Sequence, residues 1–105
     1  MATRREQAYQ ELVADLSARG VTAAHMFGQP TIKVGTRSVA CLYNEGMAFK
    51  LGAGTAEHEK ALSLPGANVF DPSGTGRIIR DWAWIPAEHL VHWREFADAA
   101  VQRAR

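Results

Sequence analysis

The sequence predicts an α+β fold, in which an antiparallel sheet of about four strands packs against N-terminal, middle and C-terminal helices that lie largely on one side. Near both ends of the chain, apolar residues recur at three- and four-residue steps, as on one face of a helix. From Pro30 to Leu51 they come instead with β-branched and aromatic neighbours between short glycine-bearing turns. With 105 residues and neither a repeat nor a long linker, residues 1–105 are expected to form one domain.

The first helix has clear start and stop signals. Thr3 followed three residues later by Glu6 indicates a capping box, and Gly20 suits the left-handed position past the last turn, where Val21 would meet Leu16. Between these ends an apolar stripe is formed by Ala8, Tyr9, Leu12, Val13 and Leu16.

Two later helices follow similar rules. Thr55 is the expected N-cap of a short helix of about two turns that stops at Pro65 and Gly66. Pro86 suits the first position of the final helix, where its missing N–H costs nothing. The apolar stripe of that helix consists of Leu90, Trp93, Ala97, Ala100, Val101 and Ala104.

Three strands, "TIKV", "RSVACLY" and "GMAFKL", form the predicted meander. Gly35 and Thr36 suit a two-residue turn with glycine first, and "NEG" at 44–46 suits a three-residue loop closing on a left-handed glycine. In the third strand, alternation places Lys50 on the face opposite the core-facing Met47, Phe49 and Leu51.

The fourth predicted strand is "RIIRDWAWIP". Alternation places Ile78, Arg80, Trp82 and Trp84 on one side and Ile79, Asp81, Ala83 and Ile85 on the other, with at least one tryptophan under a helix. The stretch "MFGQP", Met26 to Pro30, between the first helix and the meander is interpreted as a loop. The segment "NVFDPSGTG" is interpreted as irregular chain with a turn at Asp71, Pro72 and Gly74.

Composition excludes several classes of protein. The 47% of hydrophobic and 22% of charged residues are typical of a globular chain, and 12 basic against 11 acidic residues leave no general attraction for nucleic acid or an anionic membrane. A single cysteine, Cys41, excludes an intrachain disulfide and a multi-cysteine zinc site, and favours a reducing, cytoplasmic setting. No segment has the apolar core of a signal peptide or the roughly 20 apolar residues of a membrane span.

No set of residues indicates catalysis. "GAGT" ahead of the middle helix lacks the further glycine or the lysine of phosphate-binding loops, so helix capping explains it better. His89 and His92, three residues apart, form a weak metal pair that only tertiary geometry with His25 or His58 would complete. Cys41 lies mid-strand, where a buried role is usual. We therefore predict no catalytic residues, no cofactor, no metal and no enzymatic activity.

One strand combines basic and aromatic residues. Arg77 and Arg80 flank a strand that bears Trp82 and Trp84. Such a strand face can stack single-stranded bases on its aromatic rings and hold their phosphates with its basic side chains. The competing interpretation, which we favour, makes the tryptophans core residues and places the arginines over the edge of that core.

The order of the motifs resembles one known family. "MFG" after a first helix, "GMAFKL", "FDPSGTGR", a strand ending in "WIP" and the spacing of the last helix resemble the N-terminal domain of the TfoX/Sxy family, associated with regulation of natural competence in bacteria. The resemblance covers residues 26 to about 103. It implies that Met26 and Phe27 plug the open end of the sheet and that Gly28 lets the chain turn. Gln29 and Pro30 depart from the glycine and aromatic that often follow in the family.

Two-domain members of that family carry a helical C-terminal half, whereas this chain is expected to be a stand-alone domain, so transcriptional co-activation is not carried over. The resemblance implies a bacterial, cytoplasmic, non-enzymatic domain that is regulatory or binds a protein partner not yet identified. Nucleic-acid binding is the alternative, and a homo-oligomer is compatible with either. The candidate binding surface comprises Met26, Phe27, Lys50, Arg77, Arg80 and Trp82.

Overall fold

The computed structural model describes residues 3–26, 29–70 and 79–104. Short 3₁₀ segments, Ser17–Arg19 and Ala87–His92, precede the first strand and the last helix. The regular elements, in chain order, are α1 (Arg4–Leu16), β1 (Val21–Met26), β2 (Gln29–Val34), β3 (Arg37–Tyr43), β4 (Gly46–Lys50), α2 (Ala56–Leu62), β5 (Asn68–Phe70), β6 (Ile79–Pro86) and α3 (Trp93–Ala104).

The strands of the described residues form one antiparallel sheet in the order β1-β2-β3-β4-β6-β5. The α+β class, the central meander and the addition of β6 beside β4 are confirmed. The predicted number of about four strands is wrong, because these residues form six. The two additional strands, β1 and β5, are the two edges of the sheet.

Tertiary pairing explains why both edge strands escaped prediction. β1 has the sequence Val-Thr-Ala-Ala-His-Met, which does not alternate between apolar and polar residues, and it pairs with β2 from Val21 opposite Val34 to Met26 opposite Gln29. β5 has only three residues and lies in the segment predicted to be irregular. A strand of this kind is extended because a neighbour offers hydrogen bonds, not because its own residues require it. The turn expected at Asp71, Pro72 and Gly74 lies outside the described residues.

The main core lies between one face of the sheet and the helices. Tyr9 of α1 also fixes the helix to the sheet, because its hydroxyl donates a 3.1 Å hydrogen bond to the Thr31 carbonyl. The helices contribute Tyr9, Leu12, Leu16, Ala61, Trp93, Phe96, Ala97, Ala100 and Val101, and the sheet contributes Val21, Ile32, Val39, Ala40, Leu42, Met47, Phe49, Ala83 and Ile85.

The predicted starts of the first two helices and the left-handed glycine after the first are confirmed. The Thr3 hydroxyl accepts a 3.1 Å hydrogen bond from the Glu6 amide, and the Thr55 hydroxyl accepts one of 3.1 Å from the His58 amide. Gly20 adopts the left-handed conformation, with φ +85°, after one 3₁₀ turn beyond α1. Thr3, Thr55 and Gly20 therefore stabilise these helix ends through local backbone geometry and hydrogen bonds, as their residue types predict.

The two hairpin turns had different outcomes. The turn at Gly35 and Thr36 is confirmed, with Gly35 at φ +61°. The prediction of a three-residue loop at "NEG" is wrong, because Asn44 and Glu45 form a two-residue turn with φ +48° and +64°. Gly46 instead begins β4, where a Cβ would lie 2.6 Å from both the Ile85 carbonyl and the Trp84 ring. Gly46 is therefore glycine because these two groups leave no room for a side chain.

The start of the final helix also differs from the prediction. Pro86 is the last residue of β6, with extended ψ of 159°, and α3 begins only at Trp93 after the Ala87–His92 segment. The reason is pairing with the hairpin: Pro86 lies opposite Gly46, and the Ala87 amide donates a 3.1 Å hydrogen bond to the Glu45 carbonyl.

Candidate binding site

The predicted binding surface is divided between two parts of the sheet. Lys50 on β4 lies directly opposite Trp82 on β6, and Arg80 precedes Trp82 by two residues. Met26 is the last residue of β1. Because β2, β3 and β4 lie between β1 and β6, Met26 is not adjacent to Lys50 and Trp82. Phe27 and Arg77 lie outside the described residues. Of the predicted surface, the structure therefore pairs Lys50 with Trp82, and Arg80 is known only by its position two residues before Trp82 on β6.

The two tryptophans of β6, Trp82 and Trp84, lie on the face of the sheet opposite the helices. Trp82 packs with Phe70, at a ring-centre distance of 5.6 Å, over the buried Cys41 and Ala48. The prediction that Trp82 belongs to a core is confirmed, but the prediction of a tryptophan under a helix is wrong, since this cluster contains no residue from the described helices. Trp82 is 5% exposed and offers no free ring face for stacking on a base.

Trp84 and Ile79 complete this second cluster. The Trp84 indole N–H donates a 2.7 Å hydrogen bond to the Tyr43 carbonyl, which fixes the ring over Gly46. Ile79 packs on the same cluster, so its predicted place on the opposite side is wrong. The cause is a shift of register between β5 and β6: Val69 lies opposite Ala83, whereas Phe70 lies opposite Ile79.

A basic cavity of about 330 Å³ lies where β3, β4 and β6 approach the end of α3. Its polar lining consists of Arg37, Lys50, Asp81 and Arg103, and its apolar lining includes Val39 and Ala100. Three cations and one carboxylate leave a formal charge of +2 in the cavity, although the whole chain carries only +1. Sequence reasoning singled out Lys50 but not Arg37 or Arg103, because no local pattern relates these residues.

Asp81 is held by backbone groups. Its side-chain Oδ1 accepts a 3.0 Å hydrogen bond from the Ala53 amide, and its carbonyl accepts bonds of 2.8 and 2.9 Å from the amides of Leu51 and Gly52. These bonds fix the chain after β4 against β6. The bond from the Ala53 amide also occupies one oxygen of the carboxylate that would otherwise neutralise the cations of the cavity.

Arg103 is positioned by Gly52. A Cβ at Gly52, which has φ +83°, would overlap the Arg103 guanidinium, so the side chain lies directly on the glycine backbone. Glycine favours this backbone conformation, and its missing side chain leaves the space that the guanidinium occupies. The guanidinium is thus placed at the cavity, which Lys50 and Arg37 also line from the neighbouring strands.

Two cations on the helices are paired with carboxylates, unlike those of the cavity. Arg94 of α3 contacts Asp15 of α1 at 2.8 Å and Asp98 at 3.3 Å. Lys60 of α2 contacts Glu95 of α3 at 2.8 Å. This hydrogen bond, with a weaker contribution from His92, lowers the pKa of Glu95. Within residues 3–26, 29–70 and 79–104, no ion pair joins Arg37, Lys50 or Arg103 to a carboxylate.

The histidines do not converge. His89 Nε2 donates a 2.8 Å hydrogen bond to the Pro65 carbonyl, and His92 Nδ1 lies 3.1 Å from a Glu95 oxygen. His58 is buried, and His25 is exposed on β1. Among the described residues no group of three or more His, Cys, Asp or Glu has the geometry of a metal site. The expected absence of a metal or cofactor stays a prediction.

Cys41 is fully buried, and this burial raises its pKa to about 12. Because the thiolate is the reactive form, we expect Cys41 in the native protein to resist Ellman's reagent at neutral pH and to react promptly in denaturant. Measurement of the labelling rate against denaturant concentration should show it following the unfolded fraction. Rapid labelling of fully native protein would contradict this buried placement.

No protein-family model, curated protein or solved structure was found to match this chain. None of the helices in the described ranges is long and apolar enough to cross a membrane.

Proposed function

We propose that this chain is a non-enzymatic, TfoX-N-like domain that acts through protein–protein contact. A regulatory role, a bacterial source and a cytoplasmic location are what the resemblance implies. The observation that supports protein contact is the edge of β1, which no strand of the described residues covers and which includes Met26 from the predicted binding surface.

The edge of β1 lacks the usual protection against pairing. β1 has six residues, follows β2 without a register shift, and contains neither proline nor Asp, Glu, Lys or Arg. Natural edge strands are commonly short, bulged, charged or interrupted by proline, because an open edge offers unpaired N–H and C=O groups to another strand. The opposite edge, β5, has three residues and a register shift, so it is protected in this sense.

A second copy of the chain is the occupant that suits this edge. A two-fold axis perpendicular to the sheet at Ala23 would place Ala23 opposite its equivalent, Thr22 opposite Ala24, and Val21 opposite His25, with paired side chains on the same face. Thr22, Ala23 and His25 are exposed, so these positions are accessible. Such pairing covers the β1 edges of both copies at once. The net charge of +1 per chain causes little repulsion between the two copies.

Replacement of Ala23 by lysine tests this surface. In the proposed dimer, Ala23→Lys places two positive charges directly opposite each other, and like charges opposite each other destabilise strand pairing. We expect the wild-type chain to be dimeric by light scattering coupled to size exclusion. The variant should be monomeric at the same concentration, with its dissociation constant raised roughly tenfold or more.

Thr36→Lys is the matched control, because it adds the same charge at an exposed turn between β2 and β3. It should remain dimeric, and both variants should retain the circular dichroism spectrum of the wild type. A wild-type chain that stays monomeric would refute the second copy as the occupant of the edge. A dimer that survives Ala23→Lys would show that another surface is used.

Nucleic-acid binding remains the alternative proposal. Arg77, Arg80 and nearby lysines would hold the phosphates beside Trp82 and Trp84, as the sequence suggested. The near-complete burial of Trp82 weighs against it, because base stacking requires an accessible ring face.

A further inference from the structure

The basic cavity has a composition suited to a small anionic ligand, and we propose that it binds one: an organic phosphate or carboxylate with a compact apolar part. Arg37, Lys50 and Arg103 would hold the anionic group, and the partly exposed Ala104 would contact the apolar part. The proposal concerns a different surface from the edge of β1 and does not depend on it.

Charge is the first argument for this site. The three cations line one cavity with a single carboxylate, and that carboxylate already accepts a hydrogen bond from the Ala53 amide. Like charges gathered in one cavity repel each other, and an anion relieves that repulsion. Arg103 lies in the last turn of α3, where the helix dipole favours a cation, but this explanation does not extend to Arg37 or Lys50, which are on strands.

Positioning is the second argument. The Arg103 guanidinium rests on Gly52, whose amide is fixed by the Asp81 carbonyl at 2.9 Å. Arg37 begins β3 and Lys50 ends β4, so each is anchored to the sheet through its backbone. A binding site built on regular elements holds its charged groups close to the geometry required for a bidentate contact with phosphate or carboxylate.

Size and apolar lining restrict the ligand. About 330 Å³ lies at the lower end of the range for small-molecule sites, which suits a compact ligand. Val39 is 1% exposed and Ala100 is 1% exposed, so both are part of the packed core beneath the cavity. Ala104, which is partly exposed, is the apolar lining that a ligand can reach, so a ligand that combines an anionic group with a small apolar group would use both kinds of lining.

The test uses three probes: inorganic phosphate, phenyl phosphate and benzoate. They are titrated into ¹⁵N-labelled protein at low ionic strength, with amide chemical shifts recorded. We expect saturable shifts at Arg37, Lys50, Gly52 and Arg103, with phenyl phosphate binding more tightly than inorganic phosphate. Comparison of phenyl phosphate with benzoate identifies whether phosphate or carboxylate is preferred.

Variants localise the binding. Arg37→Ala and Lys50→Met should each weaken phenyl phosphate binding about tenfold, because a hydrogen bond to a charged group is lost. Arg4→Ala is the matched control, since it changes the net charge by the same amount as either variant but lies at the exposed start of α1, outside the cavity. Its affinity should equal that of the wild type. Amide spectra of all three variants confirm that each is folded.

Four results would overturn the proposal. The first is the absence of saturable binding by any probe, and the second is equal loss of affinity in Arg4→Ala and Arg37→Ala. The third is wild-type affinity in both cavity variants. The fourth is a short single-stranded oligonucleotide that binds far more tightly than phenyl phosphate through the same residues, which would assign the cavity to nucleic-acid phosphates.

Discussion

Replacement of Trp93 by alanine is expected to lower the free energy of unfolding by about 3–5 kcal/mol, the range typical of a large aromatic removed from a core. Trp93 is 1% exposed, begins α3 and packs among the residues that join the helices to the sheet. Neighbouring side chains on a rigid sheet have little freedom to fill the space. Urea denaturation followed by circular dichroism measures the loss.

Trp93→Phe separates the packing of the ring from its polar atom. The Trp93 indole N–H is buried without a hydrogen-bond partner among the described residues. Its loss of hydration is unfavourable to folding, and phenylalanine has no such group. The loss should therefore be clearly smaller than for alanine. Val91→Ala is the control at an apolar residue that is 78% exposed, and it should change stability by no more than about 0.5 kcal/mol. Equal losses for Trp93→Ala and Val91→Ala would contradict the buried position of Trp93.

Replacement of Gly46 by alanine should cost roughly 3 kcal/mol, at the upper end of the range for overpacking. The new Cβ would lie 2.6 Å from the Ile85 carbonyl, which is backbone and cannot rotate away, and 2.6 Å from the Trp84 ring. The variant should also release the Trp84 indole from its hydrogen bond to Tyr43, with a shift in tryptophan fluorescence. Thermal and urea denaturation both measure the effect.

Gly35→Ala distinguishes steric from conformational cost. Gly35 has φ +61°, but no atom lies within 4 Å of the position that a Cβ would take, so alanine there should cost only about 1 kcal/mol. If Gly46→Ala proved as mild as Gly35→Ala, the close packing of Trp84 on β4 would be disproved. If Gly46→Ala cost no stability in a Trp84→Ala background, relative to Trp84→Ala alone, the Ile85 carbonyl would not be part of the obstacle.

Local chemistry in the sequence determined several elements of this protein. Thr3 and Thr55 define helix starts because a side-chain oxygen that accepts from an amide three residues later acts within one turn. Gly35 defines a hairpin turn because few other residues adopt its conformation. Alternation in β4 likewise identified Met47 and Phe49 as core residues, since successive side chains of a strand point to opposite faces.

Only the tertiary structure decided the features that depend on distant partners. β1 and β5 are strands because β2 and β6 pair with them, and Gly46 is required because Trp84, distant in sequence, packs on it. The basic cavity has the same origin: Arg37, Lys50 and Arg103 come from β3, β4 and α3, and no pattern within a single segment relates them. Sequence patterns report interactions within a few residues along the chain, whereas a binding site arises from packing between elements whose relative placement no local pattern encodes.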